Sequence, residues 1–168
     1  MFLKNYNWLT ICVLLCLFNN ITAQTFNGVG GLPFPPSGTI GITQSQNTVT
    51  GVGVLGGCTY IDNVTINLDH TWVGDIAIFL IAPNGTFIEL SSGNGGAANN
   101  YTNTVFSDFA PLNIIDGFPP YTGDFQPEGR QNSTLTNPYP NAAPPGTFTF
   151  ANTFNGVNAN GTWTLYLN

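Results

Sequence analysis

After residue 24 the chain leaves little room for a helix of ordinary length. All 20 of its glycines and all 12 of its prolines fall in that stretch, and each weakens or breaks a helical turn where it stands. A period of two takes over instead. In "NVTINLDHTW" the residues Val64, Ile66, Leu68, His70 and Trp72 share one parity, and Asn63, Thr65, Asn67 and Asp69 share the other. That is the pattern of a half-buried strand. "DIAIFLIA", Asp75 to Ala82, is apolar at both parities, which predicts a mid-sheet strand covered on both faces. "PNGT" follows as a turn, with Pro83 fixing φ and Asn84-Gly85 accepting positive φ cheaply. "FIEL" then returns as the hairpin partner. The last strand is "GTWTLYL", with Trp163, Leu165 and Leu167 on one face and Thr162, Thr164 and Tyr166 on the other. Several strands separated by polar turns predict an all-β antiparallel sandwich or jelly roll.

The first residues read differently. Lys4 precedes an apolar run from Trp8 to Phe18, and the small residue Ala23 stands just before Gln24. This is the build of a secretory leader over residues 1–23, cleaved near Ala23. The run falls short of the roughly 20 residues that a stable membrane span needs, so no span is expected after cleavage. Cys12 and Cys16 would leave with the leader. Cys58 would then stand alone, without a basic neighbour, as a buried and inert thiol in a domain without a bridge. About 145 residues remain, enough for one hydrophobic core. Loss of Lys4 also moves the formal charge from −6 to −7, with Arg130 the one strong base left. Such a surface repels nucleic acid and anionic lipid; it suits solubility, or Ca²⁺.

Ser91 to Asn100, "SSGNGGAANN", is expected to be a loop, and Gln131 to Gly146 a long polar excursion. His70, the single histidine, sits between Asp69 and Asp75. Strand parity sends Asp69 to the opposite face, while Asp75 lies beyond a Val-Gly corner and could reach back. A nucleophilic triad needs an activated Ser or Cys beside the imidazole. No "GxSxG" elbow occurs, and one His with one Cys is too small a ligand set for zinc. His70 is therefore read as a packed structural group. "GVGVLG", Gly51 to Gly56, spells a phosphate-cradle motif but runs into strand-like sequence where that chemistry requires a helix. It is read as a corner. Asp75, Asp108, Asp124 and Glu128 border turns rich in carbonyls and Asn side chains, the oxygen environment Ca²⁺ prefers. A calcium ion at Asp75 and Asp108 is one expectation, and solvated loop carboxylates are the alternative. Tyr101, Tyr121 and Tyr139 are read as packing between the sheets, with sugar stacking as the other use of such rings.

Four stretches carry a family resemblance: "TINLDHTWVGDIAIFLIAPNGTFIELSSGNGG", "NYTNTVFSDFA", "PYTGDFQPEG" and "FNGVNANGTWTLYL". In this order they resemble the P domain (P/Homo B domain) of proprotein convertases and related secreted bacterial subtilisin-like proteases, over roughly 24–168. The resemblance implies a jelly-roll β-sandwich, galactose-binding-domain-like, of about eight strands and without an active site of its own. It implies a secreted or cell-surface accessory module that aids the folding and stability of a serine-type endopeptidase domain. His70, Trp72, Gly74 and Asp75 would form a structural corner, and Gly161, Thr162 and Trp163 would start a core strand. The expected partner is a protease domain or a cell-surface protein; the alternative is an independent module that binds a glycan or a protein. Family members continue beyond "WTLYL" into a last strand, so a C-terminal truncation with an unpaired sheet edge is expected.

Overall fold

A computed structural model describes residues 23–34, 41–130 and 143–168. The leader expected over 1–23 lies outside this description apart from its last residue, and so does most of the Gln131–Gly146 excursion. Seven strands in the described residues form two sheets. In the four-stranded sheet the spatial order is β1 (Thr43–Val49), β7 (Gly161–Leu167), β3 (Ala77–Ile81) and β4 (Phe87–Ser92), and every neighbouring pair is antiparallel. The three-stranded sheet runs β2 (Val64–Leu68), β5 (Tyr101–Phe106), β6 (Tyr121–Phe125). The two-sheet, all-β architecture is the one the alternation predicts. It departs from the expectation in one pairing. β5 and β6 run parallel. A parallel pair needs a crossover that carries the chain back to its starting end, and residues 107–120 supply it.

The core explains the two kinds of strand pattern. Ile66 and Leu68 of β2 face Ile78 and Leu80 of β3, Ile88 and Leu90 of β4, Phe106 of β5 and Trp163 of β7 in one buried cluster between the sheets. The opposite parity of β3 is buried too. Ala77 and Phe79 join Tyr166 in a second cluster, with Phe79 edge-on to Phe87 at 6.0 Å and to Tyr166 at 6.2 Å. "IAIFLIA", Ile76 to Ala82, is apolar at every position because β3 is central and both of its faces are covered.

β7 is central as well. It pairs with β1 from Val49↔Gly161 to Thr43↔Leu167 and with β3 from Ile81↔Thr164 to Ile78↔Leu167. The expected unpaired edge beside "WTLYL" is thus corrected: the outer strands of this sheet are β1 and β4. Gly161 starts β7 at φ 130°, and a Cβ there would lie 2.8 Å from Cβ of Pro83 in the "PNGT" turn. Thr162 points outward, whereas Trp163 is buried. The indole Nε1 donates to the Ala159 carbonyl at 2.8 Å, and its ring meets Phe154 edge-on at 5.0 Å.

Two further expectations change. Ser91 and Ser92 are buried members of β4, so the loop begins at Gly93. Cys58 is exposed, which corrects its expected burial; Cys12 and Cys16 lie outside the described residues. After "GVGVLG" comes no helix but a tight turn closed by a Gly56↔Thr59 bridge.

Truncating Trp163 to Ala should lower unfolding stability by about 3–5 kcal/mol, through lost burial and a cavity in the core. Thr162→Ala, one position earlier but exposed, should stay within about 0.5 kcal/mol. Urea denaturation of the two variants checks both.

Candidate functional site

The alternation of β2 stops at Leu68, and the chain turns a corner. Ile66 and Leu68 are buried, His70 is half-buried, and Trp72 is 52% exposed. Trp72 therefore does not continue the core face as strand parity implied. Val73, on the wrong parity for that strand, is the residue fully buried here. The cause is a 3-10 turn at Val73–Asp75, which resets which side chains point inward.

Loop 93–100 lies alongside this corner and bonds to it through backbone groups. Val73 N–H donates to Ala98 O at 2.9 Å, Gly74 N–H to Gly96 O at 2.9 Å, and Gly93 N–H to Ile76 O at 3.1 Å. A Cβ on Gly74 would stand 2.8 Å from Cα of Gly96 and 2.9 Å from its nitrogen. Those are backbone atoms and cannot swing aside. A Cβ on Gly95 (φ 86°) would meet Pro119 Cγ at 2.5 Å and Val73 Cγ2 at 2.7 Å. Asn100 closes the far side at φ 68°, a left-handed conformation that Asn tolerates better than most residues. It accepts from His70 N–H on its side chain at 2.9 Å, returns its own N–H to His70 O at 3.0 Å, and accepts from Tyr121 N–H at 3.1 Å. One asparagine thus joins the end of β2 to the starts of β5 and β6.

The imidazole belongs to this corner. His70 Nδ1 lies 3.0 Å from the Trp72 carbonyl oxygen and 3.2 Å from the Trp72 amide nitrogen, so one tautomer donates to the former and the other accepts from the latter. Its ring packs on Phe34 at 5.5 Å between centroids. Asp75 ends the turn and is exposed.

A buried polar cluster sits beneath the loop. Glu128 is 1% exposed. Its Oε2 accepts from Ser92 N–H at 2.8 Å and from Asn94 Nδ2 at 2.7 Å, and its Oε1 lies 3.5 Å from Arg130 Nε. Asn94 also donates to Ser91 Oγ at 3.0 Å, which shares a hydrogen bond of 2.9 Å with the Tyr101 hydroxyl. The Tyr101 and Tyr121 rings stack at 4.9 Å, and both are buried. The packing role expected for these two tyrosines holds, and neither offers a face to a sugar; Tyr139 lies outside the described residues. Burial raises the Glu128 carboxyl above its ordinary 4.5, against the hydrogen bonds from Asn94 and Ser92 and the Arg130 charge, which lower it. Burial and then the Glu128 charge raise the Tyr121 phenol above 10.0. Glu128 was expected as a turn-bordering carboxylate. Its neighbourhood "QPEG" carries no local sign of burial, because the groups that bury it come from β4 and the 93–100 loop.

The two aspartates expected to hold calcium are not brought together. Asp75 follows β2 and Asp108 follows β5, at opposite ends of an antiparallel pair. Asp108 spends its carboxylate on the backbone: Oδ1 accepts from Phe150 N–H and Oδ2 from Ala151 N–H, each at 2.8 Å. It caps α1 (Phe150–Thr153), whose own cap is Thr149. Among the described residues no three His, Cys, Asp or Glu side chains gather into a metal-binding group.

Two measurements follow from this geometry. Gly74→Ala should cost about 1–3 kcal/mol in urea unfolding, because the added methyl meets fixed backbone. Glu128→Gln tests the buried carboxyl. A group whose folded pKa is raised stabilises the fold fully below about pH 4.5, and that contribution is lost as pH rises through the raised value. Unfolding midpoints measured from pH 4 to 8 should therefore fall less steeply in Glu128→Gln than in the parent above pH 4.5.

Comparison with known proteins locates this corner. Leupeptin-inactivating enzyme 1 of Streptomyces exfoliatus is 31% identical over 81 residues, 48% of this chain and 18% of that protein. The chain therefore spans less than a fifth of that relative's length. No solved structure matches. The model of the proprotein convertase P-domain family matches residues 62–113, a stretch that holds β2, the corner, β3, β4, the gripping loop and β5. The segment 62–113 thus carries the proprotein convertase P-domain signature that the motifs in the sequence announced.

Proposed function

We propose that the chain is a secreted, non-catalytic accessory module that supports the folding and stability of a subtilisin-like serine protease domain. The observation that carries this reading is the use made of polar groups within the matched segment and of Glu128, which bonds to it. His70 is engaged with the Trp72 backbone, Asn100 with three strand ends, and Glu128 with Ser92 and Asn94. Each serves to hold the corner and loop together, which is what a rigid scaffold requires and what a nucleophile–base pair would not show. The leader read over residues 1–23 supports export, and among the described residues no helix is long and apolar enough to cross a membrane.

A chimera tests the proposal. The full chain, fused after a subtilisin-like protease domain in place of that protein's own P domain, should raise the yield of active protease several-fold over the domain alone, as read by active-site titration. The chain carrying Gly74→Ala should restore less. Labelling of the chain itself by a fluorophosphonate serine probe, together with peptide hydrolysis, would replace the accessory reading with a catalytic one.

A further inference from the structure

One end of the three-stranded sheet presents two large apolar side chains to solvent. Trp72 is 52% exposed and Phe118 is 85% exposed. They come from different connections, Trp72 after β2 and Phe118 before β6, yet they emerge from the same place. The end of β2 and the starts of β5 and β6 are tied in one row, through Asn100 N–H to His70 O and Tyr121 N–H to Asn100 O. Val73 and Pro119, the residues next in sequence to Trp72 and Phe118, both pack against Gly95. The two aromatics thus flank the 93–100 loop on a rigid, backbone-bonded base.

The charge around them has one sign. Asp69 and Asp75 are exposed on either side of Trp72, and Asp116 is exposed two residues before Phe118. Arg130, the one strong base in the described residues, lies against Glu128 instead. Exposed aromatics on a fixed base are the usual anchors of protein interfaces. An acidic rim selects a partner of opposite sign and disfavours a second copy of this chain, since acid would then face acid in a molecule of net charge −6. We infer that the Trp72–Phe118 end is a docking face for a protein surface with apolar pockets and a lysine- or arginine-rich rim. This adds a face and a partner chemistry to the accessory reading and rests on it only in taking the partner to be a protein.

Binding of a synthetic cationic peptide of Lys, Leu and Phe to the full-length chain tests the face directly, with a counterpart carrying Glu for Lys as control. Trp72→Ala and Phe118→Ala should each weaken binding about tenfold. Tyr60→Ala and Phe109→Ala, an exposed pair whose rings meet at 6.0 Å elsewhere on the molecule, should change it less than about twofold. High salt should weaken binding, and the Glu peptide should not bind. Thermal melts of Trp72→Ala and Phe118→Ala should match the parent, because both side chains are exposed. The inference falls if the cationic peptide does not bind, if the Glu peptide binds equally well, or if the Tyr60 and Phe109 variants lose as much. It also falls if sedimentation shows dimers that Trp72→Ala abolishes, since the face would then pair with itself. These readouts do not involve protease yield, so failure here and failure of the accessory reading are separate results.

Discussion

The contact on which this end of the structure depends is between two stretches of bare backbone. Gly74 and Gly96 come together so tightly that neither a side chain nor a water fits between them, and a 2.9 Å hydrogen bond joins them. Everything at this end follows from that contact. It seats the 93–100 loop against the corner, which buries Val73 completely and turns Trp72 outward. It also carries Asn94 inward to Glu128 and Asn100 across to β6. A loop of glycine, alanine and asparagine is ordinarily a candidate for mobility. Here its lack of side chains is what allows it to be held.

The carboxylates divide into two populations with different work. Asp69, Asp75 and Asp116 are exposed and define the sign of the surface. Glu128 and Asp108 are structural acceptors, the first tying β4 and the loop to the segment after β6, the second capping α1 from 42 residues away. Burial of Glu128 raises its pKa, while the hydrogen bonds from Asn94 and Ser92 and the Arg130 charge favour the ionised form. A chain with so little positive charge has few ways to offset a buried carboxylate, and neutral donors from Ser92 and Asn94 do most of it.

Two of the four stretches that carry the resemblance, Thr65–Gly96 and Asn100–Ala110, lie within the matched residues 62–113. That agreement has a physical basis. "HTWVGD" and "SSGNGG" are separated in sequence by a hairpin, and the hairpin brings them side by side, so a glycine in one is meaningful only with a glycine in the other. The motif is the two halves of one contact.

Strand identity was legible where neighbours in sequence are neighbours on a face. The alternation of β2 to Leu68, the two-sided burial of β3, the "PNGT" turn and the full extent of β7 all follow from side-chain parity, a local property of the pleat. Parity carried past Leu68 misplaced Trp72, because a 3-10 turn ends the period without a proline to announce it. Long-range pairing decided the rest: the parallel run of β5 and β6, the central place of β7 and the burial of Glu128 and the stacked tyrosines. The sequence by itself determined that this chain makes strands and which faces of them are apolar, since sterics and alternation act within a few residues. Only the tertiary structure decided which strands meet, because that choice is made by contacts between residues far apart along the chain.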